Sequence, residues 1–211
     1  MAIRKRPWSR KFETNILKVY NQATDAEREQ GIYWYATAHR DAFAIAERYS
    51  VPVWEVAGVI AAISPGLAWG LNLIQADELV RSFVENKPQP NVGVYGWKNV
   101  NKAWQILQGA NPLDVLPLTG PKTRAFYSCI LNPDGSEEIT VDRHAKCLAY
   151  DRREDREVIS AVGLAEYRHL AWHYGIIAKR LGLLPHQLQA ITWVTWKRII
   201  AELGADNDEA H

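Results

Sequence analysis

Apolar residues return at helical spacing along almost the whole chain, which leaves little room for other secondary structure. Phe12, Ile16, Val19 and Tyr20 fall at i, i+4, i+7 and i+8, one face of a helix. Thr24-Asp-Ala-Glu27 is a capping box: hydroxyl and carboxylate each take a backbone N–H that a helix start leaves unpaired. Ile32, Tyr35, Ala36, His39, Phe43 and Ala46 share a further face. Val53, Val56, Ala57, Ile60 and Ile63 form another, which stops at Ser64-Pro65-Gly66. Helical patterns resume over 68–85, 99–107, 121–131, 162–182 and 186–203, and residues 86–97 are a Pro/Gly loop. Only Ile139-Thr-Val141, after the turn signal Asn132-Pro-Asp-Gly135, reads as strand, and it is too short to make a sheet. The expected fold is all-α, with roughly ten helices.

Charge narrows the function classes. Lys+Arg is 25 and Asp+Glu is 24, so a chain that coats nucleic acid over its whole surface is excluded, while a local basic face is not. Such a face is present at the start. Residues 1–18 carry Arg4, Lys5, Arg6, Arg10, Lys11 and Lys18 against Glu13 alone, and this stretch either touches a polyanion or is a solvated terminus. Residues 204–211 read as an acidic, disordered tail. Two cysteines, Cys129 and Cys147, are too few for a disulfide framework or a four-cysteine metal site. His169 and His173 share a helix face that zinc could use, but no third ligand follows, so no metal or other cofactor is expected. No signal peptide and no apolar run of membrane-spanning length is evident, so the chain reads as a soluble, cytoplasmic monomer.

The stretch with chemical content is 116–149, LPLTGPKTRAFYSCILNPDGSEEITVDRHAKCLA. Leu118-Thr119-Gly120-Pro121-Lys122 makes a tight turn into a helix, whose first N–H groups attract anions such as phosphate. Lys122 stands in that first turn, as a nucleophile or as a phosphate contact. Asp142 stands at the start of the next helix, where a carboxylate can be a simple cap or do chemistry.

This pattern resembles the helix–hairpin–helix DNA glycosylase superfamily, endonuclease III-like. The family hairpin Leu-Pro-Gly-Val-Gly-Arg-Lys-Thr is matched by Leu118-Thr119-Gly120-Pro121-Lys122-Thr123, with one glycine where the family usually has two. The family's Val-Asp-Thr-His is matched by Val141-Asp142-Arg143-His144, twenty residues on from Lys122 to Asp142. More weakly, the resemblance reaches over residues 53–200. It implies a two-lobed fold, one lobe from about 53–147 and the other from 9–50 plus 160–203, with Lys122 and Asp142 meeting in the cleft between them.

The resemblance also implies a reaction: cleavage of the N-glycosidic bond of a modified or damaged DNA base. Asp142 would stabilise positive charge at the sugar carbon. Lys122 would attack the same carbon in the bifunctional manner. Thr119, Gly120, Lys122, Thr123 and Arg143 would hold DNA, and Trp69, Asn72, His144, Gln189 and Trp193 would line the base site. A divergent phage and bacterial branch implies an alternative, thymine hypermodification, in which an amine or amino acid displaces pyrophosphate from an activated 5-hydroxymethyluracil. A third reading is a catalytically silent DNA-binding protein. The chain has nine Trp; most are expected in the core, with Trp69 the first candidate to stack on a flipped base.

Deleting residues 1–10 should lower affinity for DNA without unfolding the protein, and the affinity lost should be the salt-dependent part. A binding titration at low and high salt checks this; unchanged affinity at low salt would make the basic start a solvated terminus.

Overall fold

The computed structural model describes residues 9–152 and 162–208, and within them the side chains from Lys11 to Leu203. Arg4, Lys5 and Arg6 of the basic start lie outside the described residues, as does the side chain of Arg10. All regular structure among the described residues is helical. The helices are α1 (Ser9–Asn21), α2 (Asp25–Ile32), α3 (Trp34–Tyr49), α4 (Val53–Ile63), α5 (Trp69–Val84), α6 (Trp97–Leu107), α7 (Pro112–Val115), α8 (Pro121–Leu131), α9 (Arg143–Tyr150), α10 (Leu164–Leu181) and α11 (Pro185–Asp208). No helix among the described residues is long and apolar enough to cross a membrane.

The helices group into two compact units. One holds the described residues up to Trp34 and from Val141 onward, and the other runs from Tyr35 to Thr140. This differs from the expected lobes in two places. α3 falls in the second unit, where Tyr35, Ala38, Ala42, Ile45 and Ala46 are buried and the His39 ring meets the Ile130 carbonyl at 2.9 Å. α9 falls in the first, because its buried face, Ala145, Cys147, Leu148 and Ala149, packs on α1 and α11.

In the first unit α11 packs against α1, α2, α9 and α10. A Cβ on Gly31 would stand 2.5 Å from the Ile191 backbone, so a side chain at 31 would push α2 off α11. An ion pair ties the same two helices: Arg198 Nε donates to Glu27 Oε1 at 2.8 Å and Nη2 to the Gln22 carbonyl at 2.9 Å. The Arg198 hydrogen bond holds the Glu27 carboxyl below its ordinary range against the opposing effect of burial. Thr24 and Glu27 form the expected capping box. Phe12, Ile16 and Val19 bury the expected face of α1.

In the second unit α4 is the central helix. Every residue from Val56 to Ile63 is buried, and α5, α6 and α8 surround it. Ile139 and Thr140 are buried and belong to no regular element. A buried hydrogen bond from the Tyr35 hydroxyl to Thr140 Oγ1, at 2.8 Å, joins the two ends of the unit.

Three further expectations are corrected. Ile32 belongs to α2 and not to the stripe of α3, because the chain breaks at Tyr33, whose N–H closes α2 on Glu29 and Gly31 carbonyls; Phe43 of that stripe is exposed. The tryptophans do not fill the core: of those described only Trp196 is buried, and Trp97 and Trp172 are 68% and 59% exposed. Alanine and aliphatic side chains take that place, which allows close helix packing. The acidic end is in part helix, because α11 continues to Asp208.

Glu55 is buried in the first turn of α4, and desolvation pushes its carboxyl above its ordinary value. Its folded form therefore favours the proton, so this contribution to stability is present below the unfolded pKa and is lost as pH rises through the folded one. Glu55→Gln should raise the melting temperature at neutral pH, with a gain that shrinks toward pH ~4, close to the carboxyl's unfolded value. Thermal melts across that range check it; a gain independent of pH would contradict it.

Candidate functional site

The hairpin lies within the second unit. Asn111 caps α7 by accepting the Leu113 N–H at 2.9 Å, and Pro112 starts the helix. The turn closes where the Gly120 N–H donates to the Pro117 carbonyl at 2.9 Å. Thr123 returns its backbone N–H and its hydroxyl to the Gly120 carbonyl, at 3.2 and 3.0 Å. The Arg124 guanidinium donates to the Leu113 carbonyl and, at 3.0 Å, to that of Leu116. These bonds staple α7 to α8 around the turn. Leu118 and Thr119 are left outside, Leu118 at 76% exposure. No side chain caps α8 and no acid occupies its first turn. Lys122 is half-buried there.

Trp69 and Asn72 also belong to this unit but are engaged within it. Trp69 donates its indole N–H to Asp41 at 3.2 Å and meets Phe126 edge-on at 6.2 Å. Asn72 is 2% exposed and donates to the Ile60 carbonyl at 3.3 Å, while its side-chain oxygen finds no partner. Asn72 is thus a buried link between α4 and α5.

Asp142 stands in the first unit with a different set. It is the N-cap of α9: one carboxylate oxygen accepts the Ala145 N–H at 2.8 Å, and the residue is half-exposed. The cap uses Oδ1 and leaves the charge and the second oxygen for another role. Arg143 and His144 follow in the first turn of α9, both half-buried. The His144 ring meets Trp193 edge-on, with centroids 6.4 Å apart, and Trp34 meets the same ring at 6.1 Å. Gln189, one turn before Trp193 on α11, is 5% exposed.

Two residues that sequence reasoning missed complete this set. Lys197 Nζ lies 3.3 Å from the centre of the Trp193 ring. Lys197 is exposed as a residue, and partial desolvation pulls its ammonium in the direction below the ordinary lysine range while the charge of Asp142 opposes that shift. The Tyr174 hydroxyl is fully buried and pushed upward, first by burial and then by Asp142, with Thr192 opposing. One signal was available for Lys197: it is four residues after Trp193, so both lie on one face of α11. Tyr174 gave none, because a buried tyrosine in a helix is ordinary core until its neighbours are known.

Of the candidate residues, then, Asp142, His144 and Trp193 share one neighbourhood of the first unit. Thr119, Gly120, Lys122 and Thr123 share the hairpin of the second. Among the described residues no group of three or more His, Cys, Asp or Glu is placed to hold a metal ion.

Asp142→Ala should destabilise the protein by about 1 kcal/mol, the usual value of an N-cap, whereas Asp142→Asn should cost only a few tenths because the amide oxygen can still accept the Ala145 N–H. Denaturant melts of the two variants check this; equal losses would show that the cap is not what holds Asp142.

Comparison with known families matches residues 3–199 to the model of a family described as a family of unknown function (DUF7178). No curated protein and no solved structure matches the chain.

Proposed function

The chain belongs to this family of unknown function (DUF7178), and we propose that it is an enzyme that acts on a base in DNA, cleaving its N-glycosidic bond with Asp142 as the catalytic carboxylate. The observation that carries the reading is the state of Asp142: a half-exposed carboxylate, oriented by a cap through one oxygen, at the start of the helix whose His144 meets the Trp193 ring, with its charge felt at Lys197. A pure structural cap needs neither the lysine nor the rings. The resemblance of Leu118–Thr123 and Val141–His144 to the helix–hairpin–helix glycosylases supports the same reaction.

In that reaction the bond between the sugar carbon and the base nitrogen breaks. Its electron pair leaves with the base, which takes up a proton, and water adds to the sugar carbon. Positive charge gathers on the sugar ring as the bond stretches. A fixed carboxylate next to it lowers the barrier, because its orientation is already set by the α9 cap and needs no rearrangement. Trp193, which meets His144 of the same helix start edge-on, would offer the flat ring on which a base rests. The hairpin would serve the phosphates: no side chain caps the start of α8, so its positive end is not offset there, and Lys122 adds a cation.

Asp142→Asn keeps the cap and the shape but removes the charge. It should slow base release by about three to four orders of magnitude, ~4–6 kcal/mol of barrier, while DNA affinity stays level or rises. Single-turnover release of free base, followed by mass spectrometry beside a binding titration, reads both. Undiminished release would remove Asp142 from the chemistry. A heavier base left in intact DNA would replace cleavage with the transferase reaction.

A further inference from the structure

In the first unit α10 packs on α1 and α11 with Tyr167, Leu170, His173, Tyr174, Ile177 and Ala178 buried. Ala165, Arg168, Trp172, Gly175 and Lys179 recur at helical spacing and form the stripe on the opposite side. Trp172 is 59% exposed, yet its ring is held: the His173 imidazole, joined to Glu13 at 3.2 Å, meets it edge-on at 4.8 Å. Arg168 and Lys179 are exposed, and among the described residues neither makes an ion pair. The one acid of α10, Glu166, is engaged elsewhere, by Tyr150 at 2.8 Å and Lys146 at 3.0 Å. Gly175 stands in the middle of the helix, where glycine weakens it. Packing does not require it, because a Cβ at 175 would meet nothing within 4 Å. Helical side chains lean toward the N-terminus, so a side chain at 175 would lie over the turn that carries Trp172. The glycine keeps that side of the indole clear.

We propose that this stripe binds an unpaired nucleic-acid strand, with a base stacked on Trp172 and phosphates at Arg168 and Lys179. The two cations are eleven positions apart, about 16 Å along the axis, and Trp172 stands between them. A strand laid along α10 meets cation, ring and cation in turn. Stacking on the ring accepts any base that is free of its own stack, and the cations follow the backbone. The chain as a whole carries 25 Lys+Arg against 24 Asp+Glu, so a stripe of one sign is a local feature. Other occupants fit this face less well. A membrane surface takes a face with several large apolar side chains, and a protein partner takes apolar area; beyond Trp172 the stripe offers only Ala165 and Gly175. The stripe lies on the opposite side of α10 from Tyr174, so it is separate from the Asp142 neighbourhood, and the proposal does not rest on base cleavage.

The test titrates the full chain against a labelled single-stranded oligothymidylate. Trp172→Ala should weaken binding by about tenfold, and Trp172→Phe, which keeps a ring, should recover most of the loss. Arg168→Gln together with Lys179→Gln should reduce the slope of log affinity against log salt by about 1.4, the share of two phosphates on a single strand. Gly175→Leu should weaken binding while the melting temperature stays level or rises, because the new side chain clashes with nothing and improves the helix. Equal affinity of Trp172→Ala and wild type for the strand overturns the proposal. It is also overturned if Trp172→Ala leaves strand affinity intact and instead abolishes binding to phosphatidylglycerol vesicles or a dimer seen by sedimentation. Base release is measured separately and should be the same in Trp172→Ala as in wild type. Strand binding that depends on Trp172, with no base release, upholds this face and refutes cleavage; base release with strand binding indifferent to Trp172 does the reverse.

Discussion

One buried hydrogen bond makes the architecture possible. The Tyr35 hydroxyl reaches Thr140 Oγ1 across 105 positions of sequence, at 2.8 Å. It joins the first and last residues of the 35–140 unit, so that unit begins and ends at one place. Chain on either side of it is then free to combine, and α1 and α2 pack with α9, α10 and α11. The same bond fixes the backbone two residues before Asp142. Val141, 1% exposed, anchors the next step, and Asp142 opens α9. The position of the candidate carboxylate is therefore set by core packing on the one hand and a helix cap on the other.

Those two constraints explain how one residue can be both structural and chemical. A cap consumes a single acceptor of a carboxylate and leaves its charge in place. Around that charge the first unit collects groups that respond to it. Burial pushes Tyr174 up and Asp142 adds to it, while at Lys197 the same carboxylate works against desolvation, toward the cationic form. With Lys197 and His144 both in contact with Trp193, the neighbourhood combines an anion, a cation and an aromatic ring. That combination suits a reaction in which a flat base departs from a sugar that becomes positively charged.

The sequence was most informative where local rules decide. The capping box at Thr24 and the boundaries of α8 follow from neighbours within a few residues, and they are present in the structure. It was least informative where tertiary partners decide. Nothing local told Ile32 from the residues of α3, because the break at Tyr33 depends on how α2 ends. Nothing local told that Trp97 and Trp172 would stay in solvent while alanines filled the helix contacts. At the site, Asp142 and Lys122 were legible as residue types at a spacing. Lys197 and Tyr174 were not, because the Lys197 contact with Trp193 and the burial of Tyr174 come from tertiary packing and not from their own sequence surroundings.

The central claim is that the chain removes a base from DNA. The most direct measurement is to incubate the protein with DNA containing a range of modified bases and to analyse both the released small molecules and the digested DNA by mass spectrometry. The account predicts one free base in solution and an equal amount of abasic sites in the DNA. DNA that keeps every base at its original mass, with no abasic site, would contradict it.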